Sequence, residues 1–409
     1  MTGPHARRKP IAALRPAAFG ADPTGERLAR MRRSPRFVAG QFRNPLPTRT
    51  LLPGSTGRLL LTQLSKVDRA RRAPRGHVPV HHPIAADWAA EPASGLRLTW
   101  MGHSSVLAEI DGQRVLFDPV WGQRCSPFPF AGPRRLHPVP LPLAELPPVD
   151  VVVISHDHYD HLDMPTIRAL ARTDTVFVVP LGVGADLEHW GVPATRITEL
   201  DWHESGKVAH LTLTATPARH FCGRGLRGGQ HTLWASWVVA GPRHRVFHSG
   251  DTGYFAEFTD IGRQYGPFDA TMIQIGAYSE FWPKNHTDYT PLPGGWPDIH
   301  MTPAQGVQTH LDLQGSRPSG VLLPIHWATF NLAPHPWAEP AEWTRDAAAD
   351  AGVPVAFPVP GQSFEPAGKL PIGPWWRAVA HPISRPWRRS EAVDVRSPVS
   401  GNSDLGDER

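Results

Sequence analysis

Cysteine is almost absent from this chain of 409 residues, which contains only Cys125 and Cys222. Two cysteines cannot build a disulfide framework, and their spacing fits no zinc knuckle. Free thiols in a reducing cytosol are the expectation, and with them a cytoplasmic location. Long apolar runs are missing as well. No stretch reaches the ~18 apolar residues that a transmembrane helix needs. The arginines near the N-terminus are not followed by the apolar core of a secretory signal. These absences favour a soluble protein, or one held peripherally at the inner face of the membrane. Heptads fail too, because 46 prolines and 37 glycines interrupt any long helical period, which excludes a coiled coil or helical bundle. No segment recurs at a solenoid period. There is no Gly-x-Ser-x-Gly elbow, so nothing points to a serine nucleophile.

Acidic residues are scarce in one region. Between Met1 and Thr50 only Asp22 and Glu26 oppose eleven arginines and lysines. That excess of nine is larger than the net charge of +5 for the whole chain, so the remainder is slightly acidic. The basicity belongs to an N-terminal arm over residues 1–94, rich in Arg, Pro and Ala, with one short helix near Leu28–Arg33. Such an arm can make weak contact with anionic membranes, and it equally suits a solvated leader. Nucleic acid is not an expected partner, because no aromatic stripe is interleaved with basic residues in the core.

From Leu96 the texture changes. Leu96–Trp100 alternates as a half-buried strand, Ser105–Ile110 is a second, and Asp111-Gly112 turns the chain into a third, Gln113–Phe117. Residues 119–148 are loop-like. Asp150–Ile154 is a continuous β-branched run of the kind buried on both faces. Pro165–Arg172 reads as a helix and Thr175–Val179 as a further strand. Leu211–Thr216, His231–Ala240, His244–His248, Asp269–Ile275 and Val321–Ile325 follow as strands. Thr302 and Pro303 open a helix that Gly315 stops, and Pro340–Ala351 forms another, ended by Gly352. Strands followed by alternating strands and helices imply an α/β fold, two sheets sandwiched between helices, over residues 95–368. Residues 369–409 form a Trp/Arg/Pro-rich tail, partly disordered.

The chemistry concentrates in Ser155-His156-Asp157-His158-Tyr159-Asp160-His161, directly after the buried run. Packed in a core, these imidazoles and carboxylates would be unsatisfied and costly. On an ordinary surface they would have no reason to abut a core strand. Neutral imidazole and carboxylate are the natural ligands of zinc and similar divalent ions. Three candidates for further ligands stand at strand ends: His220 after Leu211–Thr216, Asp251 after His248, and His326 after Val321–Ile325. Each alone is weak, since a single histidine at a strand end is more often structural. Together they form a pattern.

That pattern resembles the metallo-β-lactamase superfamily over roughly Leu96–Phe364. The resemblance implies an αββα sandwich of two mixed β-sheets flanked by helices. It also implies two divalent metal ions, zinc foremost. His156, His158 and His220 would hold one ion and Asp160, His161 and His326 the other. Asp251 would bridge both, and Asp118 would orient the ligand cluster. Trp100–Ser105, Asp118–Trp121, Phe130–Pro133, Ser249–Tyr254, Ile275–Tyr278 and Ile325–Phe330 are similar to the N-acylphosphatidylethanolamine-hydrolysing phospholipase D branch and its RomA-like bacterial relatives. The implied activity is hydrolysis of a phosphodiester in an N-acylphosphatidylethanolamine-like phospholipid.

Two metals about 3.5–4 Å apart can share a hydroxide formed near neutral pH, which would attack phosphorus or a carbonyl carbon. The same site therefore suits a lactonase, amidase or β-lactam hydrolase, and a metal-holding binding module without turnover is a further alternative. Asp160, Asp251 and Asp118 are the carboxylates on which catalysis would depend. His103, Tyr278 and His335 are candidates to line a substrate pocket, although each also suits ordinary packing. Trp282 and Trp296, in or beside an insertion over Asn285–His300, could meet acyl chains or fill a lid. Cys222 is expected to pack, not to ligate.

Overall fold

The computed structural model describes residues 16–50, 71–225, 229–278, 296, 298–315 and 319–382. After α1 (Gly25–Arg33) come the two short strands β1 (Phe37–Val38) and β2 (Gln41–Phe42). The first large sheet starts with β3 (Leu96–Gly102), β4 (Ser105–Ile110) and β5 (Gln113–Phe117), which pair antiparallel. It continues through β6 (Val151–Val153), α2 (Met164–Leu170), β7 (Val176–Pro180), α3 (Gly184–His189) and β8 (Ile197–Leu200), with β5 to β8 parallel. The second sheet holds β9 (Ser205–Val208), β10 (Leu211–Thr216), β11 (Ser236–Ala240) and β12 (Arg245–His248), all antiparallel. After α4 (Glu257–Tyr265), β13 (Ala270–Gln274), α5 (Pro303–Gln314) and β14 (Val321–Ile325) extend it in parallel. The chain ends its sheets with α6 (Glu339–Ala351) and β15 (Ser363–Phe364), which returns to the first sheet. The strand orders are β15-β3-β4-β5-β6-β7-β8 and β14-β13-β12-β11-β10-β9.

Side-chain alternation explains the layering. In β6, Val151 and Val153 join the core between the sheets, with Leu213, Trp237 and Met272 from the other side. Val152 and the following Ile154 face outward, onto Ile167 and Leu170 of α2 and Leu187 of α3. A strand buried on both faces must read as a continuous apolar run. The second sheet repeats the scheme: Phe247, Ile273 and Leu322 pack outward on Phe258, Val307 and Ala348 of α4, α5 and α6. The molecule is thus an αββα sandwich of two mixed sheets.

Local signals act where expected. Asp111 and Gly112 both take positive φ, 49° and 84°, as the tight turn between β4 and β5 requires. Thr302 accepts from the Gln305 N–H and the Gln305 side chain returns the bond, a capping box ahead of Pro303.

Two expectations of looseness change. Residues 16–50 lie against the domain instead of forming a free leader, because acidic side chains there neutralise several arginines. Arg27 pairs with Glu188 and Glu199, Arg30 with Glu204, and Arg49 with Asp298. Residues 369–382 likewise pack into the molecule. Trp375 and Trp376 close on Trp327, which itself stacks on Trp100 at 5.6 Å, and the Trp376 indole N–H donates to Glu342. Residues 383–409 and Trp282 lie outside the described residues.

Candidate metal centre

Every expected ligand stands just past the C-terminal end of a strand of one sheet or the other: His156–His161 after β6, His220 after β10, Asp251 after β12 and His326 after β14. Loops at strand ends hold functional groups rigidly while leaving them reachable. The structure gathers these residues into two adjoining clusters that share one carboxylate.

In the first cluster His156, His158, His220 and Asp251 offer ligand atoms all within 4.8 Å of one another. His156 Nε2 lies 2.8 Å from His158 Nδ1, which lies 3.3 Å from His220 Nε2. The other nitrogen of two of these rings is engaged. His220 Nδ1 sits 2.9 Å from the Ile299 carbonyl, so it carries the proton and leaves Nε2 as a donor pair for a cation. His156 Nδ1 is 2.9 Å from Ser155 Oγ. Burial, reinforced by neighbouring imidazoles, holds His156 and His220 well below the usual histidine range. Neutral rings are what a metal needs.

The second cluster joins Asp160, His161 and His326, with His103 added. Asp118 accepts from the Ser155 N–H at 2.7 Å and from its hydroxyl at 2.6 Å, and holds His161 Nδ1 at 2.7 Å. That fixes His161 Nε2 toward Asp251, 3.2 Å away. His326 Nε2 is 3.1 Å from Asp251 and 3.3 Å from Asp160. Asp251 therefore faces both clusters.

Charge and hydrogen bonding test whether a cation fits. Burial pushes the Asp160 and Asp251 carboxyls up, but the surrounding imidazoles outweigh it and hold both well below the usual carboxylate range. Burial pushes His326 down, yet Asp251 and Asp160 raise it to about 9. Two buried carboxylates call for positive charge at this spot. His161 Nε2, His326 Nε2 and Asp251 Oδ1 are buried and have no hydrogen-bond partner among the described residues. Buried polar atoms left in that state are rare unless an ion or water completes them. The donor set, imidazole with carboxylate, fits divalent metal ions.

Backbone strain accompanies the geometry. His103, Asp118, Ala277, His326 and Ala328 all adopt positive φ, between 40° and 64°. Such conformations cost energy in non-glycine residues and collect where a side chain must be aimed. At Gly276 a Cβ would overlap the His326 carbonyl, so only glycine lets β13 and β14 approach this closely.

The remaining sequence candidates fall differently. His103 stands behind Asp160, with Nε2 3.0 Å from its Oδ2, and Phe330 covers the ring. His335 lines a small cavity with His326, and its Nε2 accepts the Ala277 N–H at 3.0 Å. Tyr278 is buried between His335 and Trp343, and its hydroxyl donates to Glu339 at 2.5 Å. The site opens instead into a larger cavity of about 400 Å³. His158, Asp160, Asp251, His300 and His326 form its polar side; Phe221, Trp296, Ile299 and Leu332 are apolar walls. Cys222 donates to the Thr232 carbonyl inside the core and points to no ligand.

Sequence reasoning missed His300. It lines the cavity, with Nε2 4.0 Å from Asp251, and forms a third group with Asp251 and His326. Its only sequence signal was its place at the end of the insertion, two residues before the helix cap Thr302. Asn44, whose side chain bonds both the carbonyl and the N–H of His220, was also missed, because an asparagine in an arginine-rich arm carries no pattern.

A family model for the beta-lactamase superfamily domain matches residues 113–327, more than half of the chain. The chain belongs to the metallo-β-lactamase superfamily of metal-dependent hydrolases. Within this metallo-β-lactamase-fold family, an uncharacterised protein of Mycobacterium tuberculosis is 49% identical over 364 residues, 88% of this chain and 92% of its own. The N-acyl-phosphatidylethanolamine-hydrolyzing phospholipase D 1 of Caenorhabditis elegans is 37% identical over 266 residues, 62% of this chain and 69% of its own. This places the chain in the branch that the sequence motifs resemble. Among solved structures, the metallo hydrolase Igni18 of Ignicoccus hospitalis aligns with a TM-score of 0.48 and 24% identity, covering 66% of this chain and 98% of its own.

Proposed function

We propose that this chain is a dinuclear phosphodiesterase that cleaves an N-acylphosphatidylethanolamine-like phospholipid. The observation that carries the reading is the cavity: a charged floor of His158, Asp160, Asp251 and His326 beside an apolar wall of Phe221, Trp296, Ile299 and Leu332. An amphipathic substrate needs such a pairing, with its anionic phosphate at the floor and its acyl chains along the wall. The 37% identity to the nematode enzyme supports the same substrate class.

Two divalent ions, zinc foremost, would supply Lewis acidity and a water ionised near neutral pH. His156, His158, His220 and Asp251 would hold one, and Asp160, His161, His326 and Asp251 the other. Asp118 keeps His161 in the tautomer that presents Nε2. His300, on the cavity side of the cluster, is lowered by burial to about 3, so its ring is neutral and would hydrogen-bond the substrate, not protonate the leaving group. With acyl chains laid along it, the apolar wall would exclude water from the reacting group.

Peripheral contact with an anionic membrane belongs to the same proposal. No helix among the described residues is long and apolar enough to cross a membrane. Phe130 and Phe128 are 78% and 38% exposed, and their rings stack 5.6 Å apart beside Arg124. Aromatic rings beside arginine suit the headgroup boundary.

The test compares kcat/KM on one preparation for bis(p-nitrophenyl) phosphate, an N-acylated phospholipid, a lactone and a β-lactam. The diesters should lead. A carbonyl substrate ahead by more than about tenfold, roughly 1.4 kcal/mol of transition-state preference, would overturn the assignment.

A further inference from the structure

The loop that carries His220 has little regular structure of its own. Residues 217–235 run between β10 and β11 without a strand or helix among the described residues. Long loops of this kind need outside support to hold a side chain still. His156, by contrast, follows β6 at once, and the intervening Ser155 N–H is held by Asp118.

The support for His220 comes from the N-terminal segment. The Asn44 amide donates to the His220 carbonyl at 2.7 Å, and its oxygen accepts the His220 N–H at 2.9 Å. Both polar groups of the His220 main chain therefore go to one side chain. A network beside it fixes the neighbours. Arg219 donates to Thr48 Oγ1 at 3.1 Å and to the Pro47 carbonyl at 2.7 Å. Arg219 and Arg49 both pair with Asp298, at 3.2 and 3.1 Å, and the Arg49 N–H donates to it at 2.8 Å. Asp298 immediately precedes Ile299, whose carbonyl fixes the His220 ring, and His300 follows. Thr50 reaches the cavity itself.

We propose that residues 44–50 are a built part of the metal centre and that Asn44 is a positioning residue for the ligand His220. The basic arm thereby acts as a strap across the site. Its asparagine holds the ligand's backbone, while Ile299 holds the imidazole. Removing the amide frees the loop, and the effect falls on the ion held by His156, His158, His220 and Asp251. Among the described residues, no hydrogen bond or ion pair joins Asp160, His161 or His326 to residues 44–50, although Thr50 lines the same cavity as Asp160 and His326. This inference rests on the reading of these residues as ligands of divalent ions.

The test uses the full chain as wild type, Asn44→Ala, Asn44→Asp, and Arg30→Ala as a control in the same segment, where an exposed ion pair with Glu204 is lost. Each is loaded with Zn²⁺ or Co²⁺. Stoichiometry is read by mass spectrometry of the metals, affinity by chelator competition, and ligand geometry by the Co²⁺ absorption bands. The melting point of the metal-free form is read alongside. Asn44→Ala should weaken one of two ions by about 10–100-fold, the usual cost of losing an outer partner of a ligand. The other ion should bind as in wild type, and the metal-free melting point should stay near that of Arg30→Ala. Asn44→Asp, which keeps the acceptor and loses the donor, should fall between. Two ions bound by Asn44→Ala with wild-type affinity would overturn the proposal. So would an equal loss of both ions tracking a fall in the metal-free melting point, which marks a purely structural role. A wild-type chain that binds no ion would instead overturn the metal reading beneath it.

Discussion

Asp118 and His161 share a 2.7 Å contact between Oδ2 and Nδ1, with both side chains almost wholly buried. The same carboxylate accepts two bonds from Ser155. It thus fixes the residue before the ligand motif and the last residue of that motif together. In Asp118→Asn an N–H₂ group replaces one acceptor and opposes a donor. Metal affinity is expected to fall by about 10–100-fold, with the far-UV circular dichroism unchanged. Chelator competition checks it, and wild-type affinity in the variant would contradict this role.

Gly276 makes a second prediction about aim. A methyl group there meets the His326 carbonyl, so Gly276→Ala must push β13 and β14 apart at the ligand. Overpacking of this kind costs about 1–3 kcal/mol. The urea midpoint should drop accordingly. Metal binding should also weaken, because the displaced residue is one of the expected ligands.

His310 predicts a pH dependence away from the metals. It is buried on α5, with Nδ1 2.7 Å from Thr271 Oγ1, and burial lowers it to about 4. Between its ordinary value near 6.5 and about 4, the unfolded chain binds a proton that the folded chain refuses. Stability from the neutral ring is therefore fully present above about pH 6.5 and is lost as pH falls toward 4. The His310→Asn variant should show a shallower loss of stability over that window in denaturant titrations at fixed pH. Identical slopes would contradict the assignment.

The sequence made the sandwich and the candidate metal cluster legible for one physical reason: both have short-range signatures. Val151–Ile154 is apolar at every position because sheets and helices cover both its faces, and His156–His161 follows it within a few residues. Asp111-Gly112 and Thr302-Pro303 are likewise local. What stayed hidden depends on contacts far apart in the chain. Ile197–Leu200 and Ser205–Val208 form strands at a sheet edge, where partial burial leaves no clear alternation. The tail read as loose because Trp, Arg and Pro show no period, yet Trp376 is fully buried against residues from Trp327 to Phe357. Asn44 acts on a residue 176 positions away, and no local pattern encodes that. Tyr278, expected at a substrate pocket, instead holds Glu339, since its hydroxyl finds a partner inside the fold.

Asp251 stands at the centre of the candidate metal site, facing His161 at 3.2 Å, His326 at 3.1 Å and His220 at 3.8 Å. The most direct measurement is metal content per chain, taken with diester turnover on the same samples of wild type and Asp251→Ala. Wild type should carry about two ions, and Asp251→Ala should lose most of both metal and activity. A carefully purified wild type with fewer than about one ion per chain and full activity would contradict the dinuclear centre.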